Sequence, residues 1–195
     1  RMSFHNAIKI YRYISMYAAR NKSPSGQTLV KELSTYLLEA TKPSQNKAWT
    51  SVLFPTELLY AFDIMPLTLE VIGGVLSKLC VSKHFLSKAE ANDTPATMCT
   101  FHRILLGLAH SNFLKTPNLV AATSLMCDGN VKSFAEAARA RNIPFIFLDI
   151  PYEKNSDSIH YVKEQLNQIL QQLADLTHKC YNTELLRPVI NNANQ

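Results

Sequence analysis

Only five glycines occur among the 195 residues, and none opens a glycine-rich phosphate loop; Gly73-Gly74 is an isolated pair. That scarcity disfavours a dinucleotide site of the usual G-x-G-x-x-G kind. No apolar run reaches the roughly 18 residues that a membrane-spanning helix needs. The N-terminal stretch RMSFHNAIKIYRYISMYAARNK carries charges throughout and lacks the uninterrupted apolar core of a secretory signal. The chain therefore reads as cytoplasmic, with no membrane partner. Its four cysteines, Cys80, Cys99, Cys127 and Cys180, form no C-x-x-C, which argues against a zinc ribbon or a thioredoxin-like redox pair. Disulfides are not expected in that compartment. Basic residues are dispersed, with no Lys/Arg cluster and no RNA-binding aromatic motif, so no nucleic-acid partner is expected.

What is present is the composition of an ordinary globular protein. A hydrophobic fraction of 47% against a charged fraction of 18% excludes a disordered chain. The net charge of +5 is uneven: residues 1–56 hold eight Lys/Arg against two acids, Glu32 and Glu39, whereas the remainder is close to balanced. Such a segment suits a phosphate-bearing ligand or an acidic partner, or simply a solvated helix face.

Apolar residues recur at helical spacing over 4–21 and 27–41, separated by the turn Ser23-Pro24-Ser25-Gly26 and ended by Lys42–Asn46. This predicts a helical hairpin. From Val52 the pattern becomes short apolar runs alternating with helices. PTELLYAF is expected as a helix opened by Pro55, 65–69 as a short extended piece, and 71–92 as an interrupted helix. A stronger helix is expected over 98–112, with Met98, Phe101, Leu105, Leu108 and Ala109 on one side. Strands are expected at 118–124 and 144–150, and helices at 131–141 and 157–179. Such alternation implies an α/β fold, a parallel sheet flanked by helices. It is Rossmann-like without the Gly-rich loop, and an N-terminal helical hairpin precedes it. The predicted boundaries are 1–48 for the helical segment and 49–180 for the α/β domain.

Ligands of such sheets sit beyond the carboxyl ends of the strands. Cys127-Asp128-Gly129 lies just past the strand at 118–124, and Cys99 lies near a helix start, whose backbone N–H groups favour a thiolate. Distant cysteines on such loops can converge on one iron–sulfur cluster. A nucleophilic cysteine is the competing chemistry, with His102 three residues after Cys99, although a histidine so placed is more often a surface residue. Cys80 and Cys180 read as small buried hydrophobes.

Four ordered motifs add to this: FPTELLYAFDIMPLTL, CTFHRILLG, PNLVAATSLMCDG, and PFIFLDIPYEKNSDSIHYVKEQLNQILQQL. Together the segment from Phe54 to about Leu173 resembles the 2-hydroxyacyl-CoA dehydratase family, of the 2-hydroxyglutaryl-CoA dehydratase D-component kind, in its N-terminal half. The likenesses are Pro-x-Glu-Leu, Cys-x-x-x-Arg-x-x-x-Gly, a strand ending in Cys-Asp, and a strand ending in Asp-x-Pro. Asp63 departs from the pattern, since relatives commonly carry Gly there.

The resemblance implies removal of water from a 2-hydroxyacyl-CoA through a one-electron, ketyl-radical mechanism. It implies a [4Fe-4S] cluster in the full-length protein, with Cys99 and Cys127 as two of its ligands and the third in a second half outside this chain. Glu57 corresponds to the motif acid near the active site; its alternative reading is a first-turn acid favoured by the helix dipole. Implied partners are a homologous second subunit, an ATP-dependent activator and an acyl-CoA substrate. Residues 181–195 read as a helix leading towards the second half, so this stretch alone is expected to lack the cluster and to be inactive. The alternatives are a non-catalytic α/β interaction module and a related double-cubane-type iron–sulfur reductase.

Overall fold

The computed structural model describes residues 4–42, 46–180 and 183–193. The chain divides into two units, residues 1–45 and 46–195. The first is a helix pair: α1 (Phe4–Ala18) runs through a 3-10 turn (Ala19–Asn21) towards α2 (Pro24–Ala40). The turn ends where Ser23 caps α2, its Oγ accepting from the Gly26 N–H at 3.3 Å, with Pro24 pre-set at the first helical position. The pair closes on itself through His5 Nδ1 and Thr41 Oγ1, 3.1 Å apart. Pro43, Ser44 and Gln45, part of the stretch expected to end the hairpin, lie outside the described residues.

The second unit is built on four parallel strands in the order β2-β1-β3-β4. These are β1 (Lys47–Thr50), β2 (Met65–Thr68), β3 (Leu119–Thr123) and β4 (Phe145–Leu148). Trp49 pairs with Leu67 on one side and Val120 on the other, and Ala121 pairs with Ile146. Every residue of the two central strands is buried, as parallel strands covered on both faces require. Pro66, which lacks a ladder donor, falls on the edge strand, where it is tolerated.

Between the strands run α3 (Glu57–Tyr60), α4 (Leu69–Lys78), α5 (Ser82–Glu90), α6 (Thr100–Ala109) and α7 (Asp128–Arg141). After β4 come α8 (Ser156–Thr177) and α9 (Thr183–Ala193). One face of the sheet, with Ala48, Leu119, Ala121, Ile146 and Leu148, packs against Ile169, Leu170 and Leu173 of α8 and Leu58, Leu59 and Phe62 around α3. By alternation Trp49 turns to the other face, where Arg141 at the end of α7 lays its guanidinium 5.5 Å from the indole centre. Among the described residues, no helix is long and apolar enough to cross a membrane.

Two details depart from the sequence reading. The strand β1 precedes the point at which strand–helix alternation was expected to begin, because a four-residue strand buried on both faces shows no alternation to detect. Phe101 was grouped with Leu105, Leu108 and Ala109 on one apolar side of α6 but is 52% exposed, because His102, Ile104, Leu105 and Leu108 form the buried face.

Candidate functional site

A helix that follows a parallel strand begins at that strand's carboxyl edge, and so does a helix that descends to enter one. By this rule α3, α4, α6, α7 and α8 all start on the same edge of the sheet. Their first turns carry backbone N–H groups with no partner inside the helix.

Cys127 occupies the N-cap of α7 and Cys99 the N-cap of α6. Both thiols are exposed, and neither makes a side-chain capping hydrogen bond. The loop from β3 is held in place before it reaches Cys127: Ser124 Oγ accepts from the Ile150 N–H at 2.8 Å, tying the exits of β3 and β4 together. Met126, immediately before Cys127, has φ 84°, a conformation that costs a non-glycine residue energy.

The Cys-x-x-x-Arg-x-x-x-Gly motif acquires a physical meaning here. Arg103 pairs with Glu90 at the end of α5 and donates from Nη1 to the Ala96 carbonyl at 3.3 Å, anchoring the segment that leads into Cys99. Gly107 lies against the backbone of Phe85, so that a Cβ there would stand 2.0 Å from the Phe85 carbonyl oxygen. The motif thus seats α6 on α5 and presents Cys99 at its tip. The Asp-x-Pro motif is likewise a backbone clamp. Gln165 of α8 accepts from the Asp149 N–H at 2.9 Å and donates to its carbonyl at 2.8 Å, while Tyr161 donates to the Asp149 carboxylate at 3.2 Å.

His102 is buried, contrary to the reading of it as a surface residue, and its partner is Cys127 rather than Cys99. Its Nε2 lies 3.4 Å from Cys127 Sγ, and its Nδ1 lies 2.8 Å from Ser133 Oγ on α7. Burial lowers the imidazole pKa from its ordinary value and favours the uncharged ring. The first turn of α6 therefore meets the first two turns of α7, and both cysteines belong to one edge.

Glu57 opens α3, half-buried, on the chain leaving β1. A second acid was missed in the sequence. Glu70, in the first turn of α4, accepts from the Val52 N–H at 3.3 Å through Oε1, while its buried Oε2 has no hydrogen-bond partner among the described residues. Desolvation raises its pKa above a carboxylate's ordinary value, against the opposing pull of the backbone N–H groups of Glu70 itself and Val52. Only the fold could reveal this, since a first-turn acid is common and its burial depends on the β1 exit closing over it. A carboxyl whose folded pKa is raised adds stability fully below the ordinary value and loses it as pH rises through the folded one. Glu70→Gln, which keeps the acceptor for Val52, is expected to match the parent below that window and to be more stable above it. Urea midpoints on either side of the window check this.

Cys80 and Cys180, expected to be buried, are both exposed. Cys80 sits in the left-handed conformation just past α4, and Cys180 follows α8. Helices of 10 and 22 residues carry them roughly 15 and 33 Å from the carboxyl edge. Among the described residues, no three His, Cys, Asp or Glu side chains converge into a metal centre. The edge instead offers two soft, exposed thiols, the donor chemistry that iron–sulfur clusters use. The exits of β1, β3 and β4 on this edge carry the exposed Leu53, Leu125, Met126 and Tyr152, an apolar rim. Because Cys127 is exposed and its side chain makes no capping hydrogen bond, Cys127→Ala is expected to cost on the order of 1 kcal/mol or less in a denaturation experiment.

The family described as 2-hydroxyglutaryl-CoA dehydratase, D-component, matches residues 51–195. The chain is 22% identical over 162 residues to the (R)-phenyllactyl-CoA dehydratase alpha subunit of Clostridium sporogenes, a match covering 78% of this chain and 40% of that protein. Over 171 residues it is 22% identical to the (R)-2-hydroxyisocaproyl-CoA dehydratase alpha subunit of Clostridioides difficile, covering 83% and 42% respectively. A shorter match of 83 residues, 28% identical, links it to the (R)-2-hydroxyglutaryl-CoA dehydratase subunit alpha of Acidaminococcus fermentans, covering 40% of this chain and 17% of that protein. The chain thus spans less than half the length of each of these relatives.

Proposed function

Because the chain belongs to the 2-hydroxyglutaryl-CoA dehydratase D-component family, we propose that it forms the N-terminal part of a dehydratase subunit that removes water from a 2-hydroxyacyl-CoA. In this reading Cys99 and Cys127 are two thiolate ligands of a [4Fe-4S] cluster, and residues 181–195 lead towards the half that carries a third. The observation that supports it is the pair of exposed thiols at the tips of two adjacent helices, on the edge where parallel α/β sheets bind ligands. When bound, the cluster would supply an electron to the thioester in a ketyl-radical mechanism and a Lewis-acidic iron for the departing hydroxyl.

The chain's own residues prepare that chemistry. Arg103 and Gly107 set the height and direction of Cys99, and Ser124 fixes the loop that carries Cys127. Glu57, at the neighbouring helix start, orients the acyl-CoA or holds a proton for the leaving group. The apolar rim excludes water once it is covered, and such cover governs the dielectric around a cluster. A homologous second subunit and an ATP-dependent activator are the partners of this reading, and the cytoplasm is its compartment, where four free thiols stay reduced.

Anaerobic iron and acid-labile sulfide analysis of the full-length protein tests it. Bound iron and sulfide that are lost on replacing either Cys99 or Cys127 support the reading. A full-length protein that takes up neither is a non-catalytic interaction module. A protein that holds a cluster yet reduces small molecules and leaves 2-hydroxyacyl-CoAs untouched is a reductase of the double-cubane type.

A further inference from the structure

His102 has no role in the reading above, yet both of its ring nitrogens have partners on α7 or at its N-cap. Ser133 has one hydroxyl proton, and two carbonyl acceptors, of Gly129 and Asn130, lie within its reach. The same oxygen lies 2.8 Å from His102 Nδ1, and with its own proton on a carbonyl it accepts there, the arrangement that assigns the ring proton to Nδ1. Nε2 is left with its lone pair, and that lone pair faces Cys127 Sγ at 3.4 Å.

The spacing of the two atoms fits two donors to one metal ion. With metal–nitrogen and metal–sulfur bonds of about 2.0 and 2.3 Å, a tetrahedral angle sets the two donor atoms roughly 3.5 Å apart. A ligating histidine ordinarily donates its other N–H to an oxygen, as Nδ1 does here to Ser133. Space for the pair comes from Gly129: a Cβ there would stand 3.1 Å from Nε2 and 3.8 Å from Sγ.

The geometry points to His102 as a metal ligand, its Nε2 and the Cys127 thiolate together chelating a borderline-soft divalent ion of the iron, cobalt or zinc class. The inference rests on the reading of Cys127 as a metal-facing thiol and adds a nitrogen donor to it. On binding, the thiol proton leaves to solvent, metal–sulfur and metal–nitrogen bonds form, and no electron is transferred. Among the described residues no further His, Cys, Asp or Glu completes the set. The remaining positions on the metal are therefore left for ligands from outside.

Cobalt(II) titration of the 195-residue chain under anaerobic conditions tests this. The expected result is a thiolate-to-cobalt charge-transfer absorption with nitrogen coupling in the magnetic resonance of the bound cobalt, both lost in Cys127→Ser. His102→Ala is expected to weaken cobalt binding by about a hundredfold, and Gly129→Ala, which crowds Nε2, by about tenfold. Equal cobalt affinity and an unchanged spectrum in a folded His102→Ala variant overturn the inference. Should that variant not fold, the parent protein decides: nitrogen coupling that depends on Cys127 supports it, and its absence overturns it. Iron–sulfur reconstitution of the full-length protein separates this from the broader proposal. A cluster formed equally well in His102→Ala, with no nitrogen coupling in the parent, leaves the dehydratase reading standing and removes this one. Cobalt held by Cys127 and His102 in a protein that takes up no cluster does the reverse.

Discussion

Gly107→Ala is expected to lower stability by about 3 kcal/mol or more, the upper range of overpacking a close contact. The added Cβ would meet the Phe85 carbonyl oxygen at 2.0 Å and its carbonyl carbon at 2.6 Å. Those are backbone atoms of α5, so no rotamer change can yield, and α6 must lift away from α5. Lifting α6 also moves the Cys99 tip and strains the Arg103 ties to Glu90 and Ala96. The same substitution at Gly74 is the internal control. That glycine sits inside α4, and a Cβ there meets nothing within 4 Å. Gly74→Ala is expected to stabilise by about 0.5–1 kcal/mol through lower unfolded-state entropy and better helix propensity. Urea unfolding with unchanged m-values reads both effects, and equal midpoints for the two variants would remove the close-contact explanation.

Trp49→Ala is expected to cost about 4 kcal/mol, within the range for emptying a large aromatic site in a core. Trp49 is fully buried at the centre of β1, with neighbours on both strands and the Arg141 guanidinium over its ring. Collapse around the cavity is limited because β1 is hydrogen-bonded on both sides. Trp49→Phe should retain most of that stability. The indole Nε1 has no hydrogen-bond partner among the described residues, so the phenyl ring gives up area but no bond. Since Trp49 is the sole tryptophan, circular dichroism rather than intrinsic fluorescence follows the transition. A loss of about 1 kcal/mol or less for Trp49→Ala would show that β1 contributes little to the core. A cost of about 4 kcal/mol would be a large part of the 5–15 kcal/mol typical of a domain.

The periodicities were legible in β3, β4, α7 and α8, whose ends fall within three residues of those expected. A run such as Asn118–Thr123 followed by an amphipathic stretch depends on local pattern alone, and right-handed crossovers then leave a parallel sheet as the outcome. The strand β1 was not legible, since four residues buried on both faces give no alternation and adjoin a proline-containing linker. The motif residues Arg103 and Gly107 could be recognised, but not explained. Their partners lie 13 and 22 positions upstream, at Glu90 and Phe85, on another helix.

The amino-acid sequence by itself determined the parallel α/β scaffold and the placing of Cys99 near a helix start and of Cys127 just past a strand, because both follow from short-range patterning. Only the tertiary structure decided what surrounds those thiols. It turned His102 from its sequence neighbour Cys99 to Cys127, 25 residues away, and oriented the ring through Ser133 on a second helix. It buried one oxygen of Glu70 beneath the exit of β1 and exposed Phe101, Cys80 and Cys180, which composition alone would have placed inside. The physical reason is the same in each case: burial and hydrogen-bond partnership belong to pairs of elements brought together by packing, and spacing along one element carries no record of the other.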